Sequence, residues 1–108
     1  MPKPFMFYTD PGHAWLKVSS QDLLDVELSP ANFSSFSYRK DGNFYLEEDL
    51  DAARFIWAWE DKNDSKIPLK RSRRNTPSPI RDYERISEEY CRGWNAGIAL
   101  AKTFENNS

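Results

Sequence analysis

Residues 5–18 read Phe5-Met6-Phe7-Tyr8-Thr9-Asp10-Pro11-Gly12-His13-Ala14-Trp15-Leu16-Lys17-Val18, two β-prone runs folded around Asp10-Pro11-Gly12-His13. Proline and glycine hold the central positions of a tight turn, where a fixed φ and then a positive φ are wanted. If Asp10 faces His13, a period of two puts Phe5, Phe7, Ala14, Leu16 and Val18 on one face of the hairpin. Met6, Tyr8, His13, Trp15 and Lys17 then share the other. An ordinary type II turn twists the wrong way for the tightest hairpin, so a wider loop is equally compatible. An apolar sheet face needs a covering layer, and the segments downstream supply helical patterns, which makes the fold class α+β.

Moving outward, Ser19 caps a short helix at about 20–28, with Asp22 three residues on and Leu23, Leu24 and Leu28 as its apolar side before Ser29-Pro30 ends it. A second hairpin spans about 34–47. A three-residue loop Lys40-Asp41-Gly42 with Gly42 left-handed gathers Phe36, Tyr38, Phe44 and Leu46 on one face, whereas a two-residue Asp-Gly loop divides them, so the bulged register is expected. Glu47, Glu48 and Asp49 suit the positive end of a helix dipole, and Leu50, Ala53, Ile56 and Trp57 recur at helical spacing, which predicts a helix at about 48–60. Residues 62–81 hold three prolines and no apolar periodicity and read as a connector. The stripe Tyr83, Ile86, Tyr90, Trp94, Gly97, Ala101 and Phe104 predicts a helix at about 82–105. Gly93 and Gly97 weaken it by about 1 kcal/mol each, so a close backbone approach is expected there. The expected whole is one α+β domain over residues 1–108: a small antiparallel sheet from two hairpins, three helices and a basic, proline-containing connector.

Cys91 is the only cysteine and His13 the only histidine among 108 residues. No internal disulfide can form, and neither a cysteine-based zinc site nor a His-rich metal site can be assembled from one chain. No apolar run approaches the ~20 residues that span a bilayer, and the N-terminal residues form no apolar h-region. The expectation is a cytoplasmic protein without membrane contact, cofactor or metal. Cys91 lies by the apolar stripe with no base beside it, the position of a half-buried structural thiol. Gly93 and Gly97, interleaved with Arg92 and Asn95, point to packing within the domain first and a homodimer seam second.

Charge is unevenly spread. Residues 1–61 carry 11 acids against 5 bases, residues 62–81 carry 1 acid against 7 bases, and the remainder 5 acids against 3 bases. Lys66, Lys70, Arg71, Arg73, Arg74 and Arg81 therefore form a basic arm, which suits a phosphate backbone or folds back on the domain's acidic part. The second alternative is preferred, because the chain as a whole is acidic. Tyr8 and Trp15 on the outer hairpin face could stack bases, anchor a protein partner or lie under another element. The candidate partner-binding residues are thus Tyr8, Trp15, Lys70, Arg71, Arg73 and Arg74, with Asp10 and His13 as loop-tip candidates. No catalytic set is assigned: the Asp10–His13 turn lacks a nucleophile or second acid. Glu47, Glu48, Asp49 and Asp51 point around a helix axis rather than at one ion.

The opening from Phe7 to Val18, with Phe36-Ser37-Tyr38 and Tyr45-Leu46-Glu47-Glu48-Asp49, resembles a group of small proteins from phages, prophages and plasmids. Glu89-Tyr90-Cys91-Arg92-Gly93-Trp94-Asn95-Ala96-Gly97-Ile98 is similar to the terminal helix of many short phage accessory proteins. The resemblance implies a mobile-element setting, whose proteins commonly bind and block host proteins, nucleases and defence complexes among them. The leading expectation is a non-enzymatic interaction protein acting on a host protein in the host cytoplasm, as a monomer or homodimer. The alternative is a nucleic-acid-binding accessory protein using the 66–81 arm.

Overall fold

The computed structural model describes residues 3–106, with side-chain surroundings as far as residue 97. The first hairpin forms as its alternation requires. Strand β1 (Phe5–Thr9) runs antiparallel to β2 (Ala14–Ser19), with Phe7 opposite Leu16 and Tyr8 opposite Trp15. The Asp10 N–H donates to the His13 carbonyl at 2.9 Å, so these residues face each other across the turn. Helix α1 (Ser20–Asp25) starts on a reciprocal capping box: Ser19 Oγ accepts from the Asp22 N–H while Asp22 Oδ2 accepts from the Ser19 N–H. It ends before residue 28, because Glu27 turns to a φ of 60° and the Leu28 N–H folds back to the Leu23 carbonyl.

The second hairpin corrects the expected register. Strands β3 (Tyr38–Lys40) and β4 (Asn43–Glu47) pair Tyr38 with Tyr45 and Lys40 with Asn43, leaving a two-residue turn at Asp41-Gly42. Both turn residues have positive φ, 52° and 80°, the mirror-image turn whose twist matches that of the flanking strands. The rings are divided after all: Phe44 joins the core under the helices, Tyr38 and Tyr45 join a second cluster on the opposite face, and Phe36 is left outside. Division carries no penalty because both faces of the sheet are covered.

The sheet has six strands in the order β5-β1-β2-β4-β3-β6 and is mixed, where a purely antiparallel one was expected. The segment expected to be a connector supplies β5 (Leu69–Arg73), parallel to β1 with Phe5 opposite Leu69 and Thr9 opposite Arg73. All five β5 residues are exposed, so no hydrophobic alternation marks the strand. Backbone bonds and an anchor hold it instead: the Phe5 N–H donates to the Pro68 carbonyl, the Arg74 N–H donates to the Thr9 carbonyl, and Ile67 is buried just before it. Strand β6 (Glu84–Arg85) closes the other edge beside β3.

The helices cover one face, where Leu16, Val18, Phe44 and Leu46 meet Leu23, Phe55 and Ile86. Helix α2 (Ala53–Asn63) follows a wide helical turn at Glu48–Ala52 and runs past the expected end. That turn holds an extra residue, which shifts the phase of the apolar stripe. Leu50 and Trp57, expected to face inward, are 58% and 75% exposed, while Ala52 and Phe55 are buried. Helix α3 (Glu88–Asn106) starts later than expected, leaving Tyr83 and Ile86 outside it. Ile86 instead donates its N–H to the Ser37 carbonyl, and Tyr90, Cys91 and Trp94 rest half-buried on the core. Ala101 and Phe104 lie outside the residues whose side chains are described. A Cβ at Gly93 or Gly97 would meet nothing within 4 Å, so the expected close backbone approach is absent. Among the described residues no helix is long and apolar enough to cross a membrane.

Two substitutions on α2 test its phase. Phe55→Ala should cost about 3–5 kcal/mol by emptying a fully buried site, whereas Trp57→Ala should stay within about 0.5 kcal/mol. Denaturant melts measure both, and similar losses would mean that the expected stripe faces inward after all. At the hairpin, Gly42→Val should cost about 1–2 kcal/mol, because a β-branched residue is strained at positive φ. Thermal melts read the difference from the parent.

Candidate functional site

Asp10 is not an exposed loop tip. Its carboxylate is buried and saturated: Oδ1 accepts from the Gly12 N–H at 3.0 Å and the His13 N–H at 2.9 Å, and Oδ2 accepts from the Ser78 N–H at 2.9 Å. Arg81 completes it with a two-pronged ion pair, Nε to Oδ2 at 2.6 Å and Nη2 to Oδ1 at 2.8 Å. The Arg81 guanidinium, and then the backbone donors, hold the Asp10 carboxyl well below the usual carboxylate range against the opposing effect of burial. Asp10 in turn raises the Arg81 value.

This pair clamps the helical turn Pro79–Asp82 across the sheet face opposite the helices. Ser78 Oγ accepts from the Ile80 N–H and starts the turn, and Ile80 packs at 4% exposure on Trp15, Tyr38 and Tyr45. Trp15 is thereby covered at 2% exposure, which withdraws it from the candidate surface anchors. Tyr8 stays half-buried beside this cluster. Burial and the neighbouring phenols of Tyr83 and Tyr8 push the Tyr45 hydroxyl up to about 12.

On one flank of the clamped turn lies a cleft of about 550 Å³. Trp15 and Tyr38 line its base, and Arg81, Arg85 and His13 supply its basic side. Glu47 and Asp49 face it with negative charge, and Phe36 and Leu50 stand at its rim. The Arg81 guanidinium lies 6.0 Å from the Trp15 ring and the Arg85 guanidinium 4.9 Å from the Tyr38 ring. The His13 imidazole rests 5.8 Å from the Trp15 ring, and His13 hydrogen-bonds no side-chain nucleophile among the described residues.

A second buried carboxylate fixes the rim. Asp51, placed by its sequence among helix-start charges, is 1% exposed and its Oδ2 accepts from the Ser34 N–H at 2.9 Å and from the Ser34 and Ser37 hydroxyls. Ser37 Oγ accepts from the Glu47 N–H at 2.9 Å, and Ser34 Oγ accepts from the Phe36 N–H at 3.2 Å. The loop bearing Phe36 and the turn bearing Leu50 are thus tied to one acid. Phe36 is 68% exposed and held in place, a combination that no core requirement explains.

The basic arm separates into two parts. Arg81 is consumed by Asp10, while Lys70, Arg71 and Arg73 stand exposed on β5 with Arg74 just beyond it. None of these four is ion-paired with a carboxylate among the described residues, so the expected folding back onto the acidic part holds for Arg81, which reaches Asp10, and for the backbone of β5 along β1, but not for these four charges. Burial pushes the half-buried Cys91 thiol up, with Arg39 opposing, which keeps it protonated. Among the described residues no three His, Cys, Asp or Glu side chains converge as metal ligands. Sequence reasoning missed Phe36, Leu50, Arg85 and Asp51. The signal for Asp51 and Phe36 was Ser34-Ser35-Phe36-Ser37, whose hydroxyls need an acceptor when buried.

Asp10→Asn should lower stability by about 3 kcal/mol at neutral pH, since a buried, charge-assisted pair is broken. In the unfolded chain the carboxyl takes up its proton near pH 4, whereas in the folded chain its value is depressed. The pair's contribution is therefore whole above about pH 4 and drains away as pH falls further. Melting curves from pH 7 to pH 2 should show this acid loss in the parent and lack it in Asp10→Asn. An unchanged acid slope would remove the pair from the set of stabilising contacts. No family model, curated protein or solved structure matches this chain.

Proposed function

We propose that this chain is a non-enzymatic interaction protein, of the kind that phages and other mobile elements encode, and that it binds and modulates a host protein in the host cytoplasm. The contact is the cleft beside the Asp10–Arg81 clamp. The observation that carries this reading is the rim: Phe36 and Leu50 are 68% and 58% exposed, and both belong to segments tied to the buried Asp51. Large apolar side chains carried at the mouth of a cleft on backbone segments already fixed by hydrogen bonds require less ordering of the chain on binding, which suits a binding hot spot. The buried Trp15 and Tyr38 close the base, and Arg85, Glu47 and Asp49 offer charges of both signs for the partner's polar groups.

The experiment is affinity capture from host extract, purification of the captured protein and titration against two forms of the chain. Phe36→Ser with Leu50→Ser should weaken binding more than tenfold, since truncated hot-spot residues commonly lose about 2 kcal/mol. Melting temperature should move by no more than about 2 °C, because neither side chain is buried. A double variant that binds as tightly as the parent would overturn the cleft as the contact.

A further inference from the structure

The clamped turn divides the open sheet face, and the flank away from the cleft has a different character. There Tyr8, Tyr45 and Tyr83 wall a groove of about 340 Å³, with Ser72 and Arg74 on its outer side. The Tyr8 and Tyr45 rings are 6.4 Å apart and the Tyr45 and Tyr83 rings 5.0 Å apart. Lys40 places its ammonium 4.6 Å from the Tyr83 ring centre. A second concavity of about 650 Å³ shares Thr9 and Arg74 with this groove and continues around the end of β5, where Arg71, Arg73 and Asn75 line it. Its acid is Asp10, whose charge Arg81 already neutralises.

Lys or Arg on an edge strand commonly serves to deter edge-to-edge pairing. The arrangement here exceeds that need. The cations stand on both faces of β5, since Arg71 and Arg73 align with Phe7 and Thr9 while Lys70 aligns with Met6, and Arg74 extends the row beyond the strand. From Lys66 to Arg81 the chain has no acid, and Lys70, Arg71, Arg73 and Arg74 ion-pair with no carboxylate among the described residues. The strand edge therefore carries unneutralised cations on both sides, Arg71 and Arg73 with Phe7 and Thr9 and Lys70 with Met6, while Arg74 at its end reaches the groove of half-exposed tyrosine rings.

We propose that the β5 edge and the adjoining tyrosine groove form a second, independent site that binds single-stranded nucleic acid. Arg71, Arg73, Arg74 and Lys70 follow the phosphates, and an unstacked base enters the groove against Tyr83 and Tyr8. A base reaches the tyrosine rings only when it is free of its own stack and of pairing, which selects a single strand over a duplex. Because backbone contact and ring stacking carry the binding, sequence preference is weak and the sugar is not specified by these groups.

Fluorescence anisotropy with labelled 15-nucleotide single-stranded DNA, the same RNA and the DNA duplex tests this, using the full chain. Both single strands are the expected ligands, and their relative affinity identifies the natural one. With three or four phosphates neutralised, raising salt from about 50 to 200 mM should weaken binding about 20- to 50-fold. Arg71→Glu with Arg73→Glu and Arg74→Glu, all exposed and checked by a melting curve because the Arg71 guanidinium lies 5.0 Å from the Phe7 ring, should abolish retention. Tyr83→Ser, checked by its melting curve, should weaken it about tenfold while leaving the salt slope unchanged. Phe36→Ser with Leu50→Ser should have no effect, which separates this site from the host-protein cleft. Absence of single-strand binding at 50 mM salt, or duplex bound as tightly as single strands, would overturn the proposal. So would retention of a labelled Glu-rich peptide in place of nucleic acid, which would assign the strand edge to a protein.

Discussion

The carboxylate of Asp10 accepts five hydrogen bonds in a volume where a bare charge would be prohibitive, and most of the open sheet face depends on it. Two of its donors belong to its own turn and shape the β1–β2 connection. The other three come from Ser78 and Arg81, separated from it by 68 and 71 positions in the chain. One side chain thus performs a local task and a distant one. Without the distant contacts, residues 78–83 would be held across the sheet only by Ile80 and by the pairing of β6 with β3, and Trp15, Tyr38 and Tyr45 would be less securely covered. Ile80 and Tyr83 then supply the apolar cover that makes this aromatic layer a second core.

A sheet covered on both sides has a consequence for binding. The helix side is a conventional apolar core, and its contacts are consumed in stability. The opposite side is covered by a narrow segment only, so concave surface remains on each flank of it. Those surfaces inherit rigid walls from β-strands and from a turn locked by an ion pair. Groups placed on such walls bind with little loss of freedom, in contrast to groups on a mobile arm. The same holds for the rim at Phe36, where Asp51 replaces the chain entropy of a serine-rich loop with hydrogen bonds.

The two buried acids differ in kind. Asp10 is matched by a full positive charge, and its carboxyl is strongly depressed. Asp51 is matched by hydroxyls and a backbone N–H only, and its partners lie in one loop. The first joins distant parts of the chain and the second braces one loop against the next turn. At the far edge of the sheet, Arg39 makes a third kind of tie: it donates to Glu84 at 2.8 Å and lays its guanidinium 4.0 Å from the Tyr90 ring, joining β3, β6 and α3. Charged groups with long side chains thus join the pieces that the apolar core does not reach.

Local pattern determined the elements whose partners lie nearby in the chain. Alternation in residues 5–18 set the first hairpin and its two faces, Ser19 with Asp22 set the start of α1, and Asp41-Gly42 set a turn with positive φ. The reading of the Asp41-Gly42 hairpin failed at its register because it assumed that only one face of the sheet is buried, and nothing within residues 34–47 discloses a cover that arrives from residue 80. The phase of α2 was lost for a related reason, since one wide turn at Glu48–Ala52 displaces every later residue around the axis. Strand β5 was invisible because an exposed edge strand is held by backbone hydrogen bonds, which all residues but proline offer alike. The candidate site was legible as a list of residue types and not as a place. Sequence supplied Asp10, His13, Arg81 and the basic run, and only tertiary structure could decide that Arg81 leaves that run to neutralise Asp10, that Trp15 is thereby buried, and that Arg71, Arg73 and Arg74 pair with no carboxylate among the described residues. Charge pairing acts through space at a few ångströms, and the separation of 71 positions that it bridges here leaves no periodic trace in the chain.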